Sequence, residues 1–154
     1  MKLNFSIKSV TAATPKGTLL GVAELFDQYR QFYGQVSNLE AAKQFLQDRL
    51  KKSECVIFAA LKNEQPVGFV QLYPFFTSVG LSRTWILNDL FVAPQERRHG
   101  IAKALMEESI SHTRKTGASK LSLETGRTNT SAQELYRKLN FSQDNDCIWF
   151  HLKA

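Results

Sequence analysis

Long apolar runs are what this 154-residue chain most clearly lacks: the longest, Cys55–Leu61, falls far short of the ~20 residues that a membrane-crossing helix needs. The opening Met1-Lys2-Leu3-Asn4-Phe5-Ser6 carries no apolar core of the kind a secretory leader has, so a cytoplasmic protein without a membrane anchor is the expectation. Cysteine is scarce. Its two copies, Cys55 and Cys147, fall in strand-like runs with no Cys or His at metal-ligand spacing, which reads as two buried free thiols and argues against a disulfide framework. The three histidines, His99, His112 and His151, are too dispersed to suggest a metal site. Charge of one sign never accumulates into a block of five, and no zinc-finger spacing or aromatic RNA-binding signature occurs. The formal charge of +6 therefore makes a weak case for nucleic acid as partner, and an anionic cofactor accounts for it equally well.

What is present is an ordinary globular composition, 43% hydrophobic and 22% charged, in a chain of the length of one domain with a sizeable core, so residues 1–154 are expected to form a single domain. Asn4–Val10 alternates as a strand. From Thr18 to Tyr33, the positions Val22, Leu25, Phe26, Tyr29, Phe32 and Tyr33 recur at helical spacing, with Gly34 as the stop. Ser37-Asn38-Leu39-Glu40 reads as a capping box opening a second helix that ends in Arg49, Lys51 and Lys52. Glu54–Lys62 and Val67–Tyr73 read as a hairpin about Asn63-Glu64-Gln65, the second strand ending at Pro74. A strand over Trp85–Val92, a helix from Gly100 to Gly117, a strand over Lys120–Glu124 and a helix over Asn129–Leu139 follow, and Phe141–Leu152 reads as two short strands around Gln143–Asp146. The order β-α-α-β-β-β-α-β-α-β-β predicts an α/β fold. Its mixed central sheet carries helices on both faces, because the hairpins must be antiparallel while the strand–helix–strand from Trp85 to Glu124 implies a parallel crossover.

The join at Trp85–Ala102, W-I-L-N-D-L-F-V-A-P-Q-E-R-R-H-G-I-A, holds the strongest functional signal. Arg97 and Arg98 stand just before a helix N-terminus, where the macrodipole already disfavours cations, and an anion would resolve that conflict. Free backbone N–H groups and Gly100, which lets a ligand approach the main chain, would make a cradle for phosphate or pyrophosphate; the plainer reading is a solvated basic turn. Gly100 is not followed by Lys-Ser/Thr, which excludes a P-loop.

On these residues the chain resembles the GNAT superfamily of acyl-CoA-dependent N-acetyltransferases over essentially its whole length. Arg97-x-x-Gly100-x-Ala102 is similar to that family's pyrophosphate-loop pattern, Q/R-x-x-G-x-G/A, and Asn129, Ala132, Leu135 and Tyr136 are similar to its second signature on the last long helix. Two positions depart: Asn140 precedes Phe141 where the family often has Gly, which Asn replaces well in a left-handed cap, and Ala102 takes the last small position.

The resemblance implies acetyl-CoA as co-substrate, with no metal. It implies that main-chain groups of Leu90, Phe91 and Val92 pair with the pantetheine arm, that Arg97, Arg98, His99, Gly100, Ile101 and Ala102 hold the pyrophosphate, and that Asn129, Ala132 and Tyr136 border the cofactor. Val92 N–H would steady the thioester oxygen as charge develops, and Tyr136 would protonate the departing thiolate. Without the second signature, Tyr136 reads as a packing tyrosine and Asn129 as a helix N-cap.

The base is the open question. A primary amine has a pKa near 10.4, so a group must take its proton. The run L-N-D-L-F-V resembles the L-E-D-F-F-V of diamine acetyltransferases, with Asn88 where the Glu faces the amine, which leaves Asn88, Asp89 or a water as candidates. Strand neighbours point to opposite faces, so Asn88 and Asp89 cannot both face the amine unless a bulge intervenes, and Asp89 also reads as a structural hydrogen-bond acceptor. Acceptor specificity is expected from Asp27–Gly34, Tyr29 and Tyr33 above all, and from Tyr73–Phe76; the alternative is that these aromatics are core. The acceptor is a small-molecule amine, a polyamine or a protein amine, and a homodimer is implied because small members of the family often pair. The rival readings are a catalytically silent CoA-binding regulator and a basic nucleic-acid module.

Overall fold

A computed structural model describes residues 4–154; of the opening Met1–Ser6, the first three therefore lie outside the described residues. The chain divides into two compact units, one ending at Glu124 and one running from Thr125 to Ala154.

The first unit is a five-stranded sheet in the order β1-β2-β3-β4-β5. Strands β1 (Ser6–Val10), β2 (Val56–Lys62), β3 (Gln65–Thr77) and β4 (Ser82–Val92) each run antiparallel to the next, and β5 (Leu121–Leu123) joins β4 in parallel. Helices α1 (Lys16–Phe32) and α2 (Leu39–Lys51) cover one face. There Val22, Phe26, Ala42 and Leu46 pack on Ile57, Ala59, Phe69 and Phe91. Helix α3 (Ile101–Lys115) covers the other face, where His112 sits against Phe58 and Trp85 and Ile101 lies so close to β3 that a Cβ on Gly68 would come within 3.1 Å of it. The expected mixed sheet with helices on both faces is what forms.

Local chemistry sets the boundaries. Asn63 and Glu64 both take positive φ, 48° and 62°, the backbone of the tight two-residue turn that fits strand twist. Asn38 Oδ1 accepts Ala41 N–H at 3.1 Å and caps α2. Ser37, the N-cap of the expected capping box, instead donates to buried Asp27 at 2.6 Å.

Strand β3 does not stop at Pro74. Trp85 N–H donates to Lys120 O on the β5 side, so Trp85 and its register partner Pro74 form a pair without hydrogen bonds, and the proline nitrogen faces the free edge left beyond Val56, where no donor is needed. The hairpin therefore runs on to Thr77 and Ser82, leaving Phe75 and Phe76 exposed.

The second unit contains α4 (Thr130–Lys138), capped by Asn129, with Asn140 in the expected left-handed conformation at φ 65°. The two strands expected over Phe141–Leu152 do not form. A strand exists only where its polar backbone meets a partner, and here Ile148, Trp149, Phe150 and Leu152 stand exposed. Cys147, read as buried on the strength of that pairing, is exposed, whereas Cys55 is buried as expected; both are free thiols.

Candidate active site

The site in the first unit is built where β4 loses its second neighbour. β5 pairs only with Trp85–Leu87, so beyond Leu87 that edge of β4 has no partner among the described residues. Ala93 N–H donates to Val67 O on the β3 side, so the alternation turns both main-chain groups of Val92 outward, and Val92 O duly accepts Arg97 Nε at 3.0 Å. Phe91 packs on the α1 face, while Leu90, opposite Val70 in the register, points with it to the α3 face. Leu90 and Val92 therefore offer a ligand their main chain, whereas that of Phe91, expected to pair with the pantetheine arm as well, is turned to Phe69 on β3 by the same alternation.

The chain then makes a 3₁₀ turn at Pro94–Glu96, tied down by a Lys62–Glu96 ion pair at 2.9 Å. Arg98 and Gly100 both take left-handed backbone, φ 64° and 81°. Only the glycine does so without strain, so Arg98 stores something on the order of 1 kcal/mol. The N–H groups of Arg98, His99 and Gly100 have no acceptor among the described residues, and those of Ile101, Ala102 and Lys103 are unpaired first-turn donors of α3. Six donors thus collect at one helix end around a glycine with no atom within 4 Å of its missing Cβ. His99 folds back toward Glu96 O at 3.3 Å. Arg97 lies over the Phe91 ring, 5.4 Å from its centroid, and with Gln28, Gln31, Phe32, Phe91 and Pro94 lines an open cleft of about 300 Å³ that holds no carboxylate.

The question left by Asn88 and Asp89 is answered by a bulge. Gln71 pairs with Asp89 and Leu72 with Leu87, so Asn88 is an extra residue in β4, and both side chains turn toward the α1 face. Asn88 Nδ2 donates to Asp89 Oδ1 at 3.1 Å. Asn88 is exposed; Asp89 is 5% exposed, and burial pushes its carboxyl above the ordinary range despite the hydrogen bond from Asn88. Its Oδ2 has no hydrogen-bond partner among the described residues.

Tyr29, half-buried on α1, donates to Asn88 O at 3.3 Å, and burial with the neighbouring Asp89 charge raises its phenol far above the usual value. Tyr33, 57% exposed, packs edge-on to Tyr29 with centroids 5.0 Å apart. The stripe expected from Val22 to Tyr33 is therefore core at its start and site wall at its end. Across the ladder, Gln71 is fully buried and gives its Nε2 to Tyr73 Oη at 2.9 Å, while its Oε1 has no partner among the described residues. Sequence reasoning passed over Gln71; the signal was a lone amide between Val70 and Leu72 in an otherwise apolar strand.

In the second unit Asn129 Oδ1 accepts Ala132 N–H at 3.4 Å, the N-cap role. Tyr136, on the same face of α4 as Ala132, is half-buried with its ring centroid 6.1 Å from that of Phe141. Among the described residues no helix is long and apolar enough to cross a membrane.

A sheet that opens beside one strand and leads from that opening into a donor-lined helix end is the arrangement of an acyltransferase fold, with free backbone donors suited to an anion. Comparison with known proteins agrees. The profile of the acetyltransferase (GNAT) family matches residues 17–141. An uncharacterised N-acetyltransferase of Bacillus subtilis, YhfO, is 40% identical over 133 residues, 86% of this chain and 89% of that protein. A probable acetyltransferase of Haemophilus influenzae is 35% identical over 111 residues, 71% and 76% of the two chains. The crystal structure of a probable acetyltransferase superposes with a TM-score of 0.87 at 36% identity, covering 97% of each chain. The chain belongs to the GNAT family and is an acetyl-CoA-dependent N-acetyltransferase.

Proposed function

We propose that this enzyme, acting as one domain across residues 1–154 in the cytoplasm, moves the acetyl group of acetyl-CoA to a primary amine by direct attack within a ternary complex. The observation that carries the reading is the unpaired edge of β4 that ends at Val92 and continues into six N–H donors at the start of α3. Donors at Arg98–Ala102, with the Arg98 charge, suit the pyrophosphate. The Leu90–Val92 edge suits the amides of the pantetheine arm, and Val92 N–H suits the thioester oxygen in the transition state. Arg97 already holds Val92 O, so its charge serves the arm's path more than the pyrophosphate.

The amine enters over Asn88, beside Tyr29 and Tyr33. Its nitrogen attacks the carbonyl carbon, the C–S bond breaks toward sulfur, and Tyr136 supplies the thiolate's proton, an assignment made on the second signature, with Asn129 and Ala132 bordering the cofactor. Asn88 in place of a carboxylate, together with a neighbouring cleft without acidic residues, favours an acceptor with one positive charge over a polyamine. The homodimer implied by the family resemblance belongs to the same proposal, and light scattering reads it directly. The test of the whole is a panel of primary amines scored by CoA thiol release, with Tyr136→Phe alongside. Release with a monoamine that the variant largely loses supports the reading; a protein that binds acetyl-CoA yet acetylates no amine overturns it.

A further inference from the structure

The loop whose N–H donors suit a diphosphate also carries a charge of the wrong sign for one. Between Val92 and Met106 the chain has a single carboxylate, Glu96, two residues before Arg98, where the run of free donors begins. Consecutive Cα atoms are about 3.8 Å apart, so the backbones of Glu96 and Arg98 lie within ~8 Å, a distance over which salt at physiological strength screens only in part. A bare carboxylate there would repel a pyrophosphate. Glu96 is not bare. Lys62, the last residue of β2 and 34 positions earlier in the chain, places its ammonium 3.0 Å from Oε1 and 2.9 Å from Oε2. The two side chains are only 33% and 17% exposed, so water screens this pair less than it would a fully exposed one. Among the described residues, it is the one hydrogen bond or ion pair that ties Pro94–His99 to a strand or helix other than β4.

We infer that Lys62 is a positioning residue for acetyl-CoA that acts through Glu96, cancelling the one negative charge beside the Arg98–Ala102 donors. The inference rests on the placement of the pyrophosphate proposed above. Three charge states separate this role from two others. Without Lys62 the loop gains one bare negative charge; without the Glu96 charge it gains one positive; without both it is as neutral as before. A lysine that touched the cofactor itself would be missed whether or not Glu96 were charged. A lysine that only braced the turn would be missed as much when its partner was lost as when it was itself replaced. Glu96→Gln is a clean change of charge, because the glutamine keeps a side-chain oxygen for Lys62 Nζ and the backbone carbonyl toward which His99 Nδ1 folds.

The experiment is a calorimetric titration of acetyl-CoA into wild type, Lys62→Met, Glu96→Gln, the double variant and Lys62→Arg, each first shown to fold by a cooperative melt. Lys62→Met is expected to raise Kd about tenfold, the Coulomb effect of one bare carboxylate ~8 Å from a doubly charged diphosphate in near-aqueous surroundings. Most of that deficit should vanish in roughly 1 M salt, where the Debye length is about 3 Å. Glu96→Gln and Lys62→Arg should bind at least as tightly as wild type, and the double variant should return close to the wild-type Kd. In turnover with an accepted amine, the Lys62→Met loss should appear in KM for acetyl-CoA with kcat retained. A wild-type Kd for Lys62→Met, or a double variant or Glu96→Gln as weak as Lys62→Met, overturns the inference. Gly100→Ala tells that failure from failure of the reading beneath it. If Gly100→Ala binds acetyl-CoA as wild type does, the diphosphate lies elsewhere and both fall; a weakened Gly100→Ala beside an unaffected Lys62→Met strikes the inference alone.

Discussion

Tyr136 and Gly100 separate two jobs that a single activity measurement would merge. Removing the Tyr136 hydroxyl leaves the ring against Phe141 in place, so Tyr136→Phe is expected to lose about 100-fold in kcat while acetyl-CoA raises Tm as much as in wild type. Equal rates in stopped-assay comparisons would remove the tyrosine from the chemistry. Gly100→Ala acts on binding instead. At φ 81° an alanine is strained by about 1 kcal/mol, roughly 2–4 °C in Tm for a chain of this size, and its methyl stands where a pyrophosphate would approach. Gly117→Ala is the control, because Gly117 is also left-handed and open at φ 68° but closes α3 at its far end. Both variants should lose similar stability, and only Gly100→Ala should weaken acetyl-CoA in a calorimetric titration. These residues were legible early, since a glycine before a helix in a basic turn, and an Asn-x-x-Ala-x-x-Leu-Tyr pattern, are local in the chain. Gln71 was not, because what makes it special is its place opposite buried Asp89, and a contact across strands leaves no local trace.

Among the elements, the turn between α1 and α2 shows how one buried carboxylate can hold a segment of the site wall. Asp27 is 4% exposed and accepts from Arg30 at 2.7 Å, Ser37 Oγ at 2.6 Å and Asn38 N–H at 2.9 Å, which braces the chain just after Tyr33. Burial by itself would raise its pKa, but the hydrogen bonds of Ser37, Asn38 and Arg30, with the Arg30 charge, outweigh burial and hold it below the ordinary carboxylate value. A carboxylate depressed on folding contributes stability that is complete above its unfolded pKa and disappears as pH falls through the lower folded one. The Tm gap between wild type and Asp27→Asn should therefore be constant above pH of about 5 and close steadily below about 4. A gap independent of pH would show that the brace is geometric and not ionic. The elements themselves were mostly readable, with helices and strands within a few residues of expectation. The misses were positional. Pro74 sits inside a strand because its nitrogen faces an empty edge, and the residues after Phe141 have strand-like composition without a ladder to join.

For the molecule as a whole, the free energy of ligand binding is the direct readout. A ligand that binds only the folded state at 100 times its Kd stabilises by about 2.7 kcal/mol, so acetyl-CoA in that excess should raise Tm by several degrees. Desulfo-CoA should do nearly the same, and adenosine, which lacks the pyrophosphate, should not. A shift with adenosine alone would place the main grip outside the Arg98–Ala102 loop. By itself the sequence determined the α/β class, the order of the elements as far as the last helix, the donor-rich helix end and the resemblance that led to acetyl transfer, because each depends on periodicity, capping and short spacing along the chain. The tertiary structure alone decided that Asn88 and Asp89 share a face, that Tyr29 joins them and that Gln71 stands opposite. A bulge and a register are properties of two strands at once, and neither strand specifies them separately.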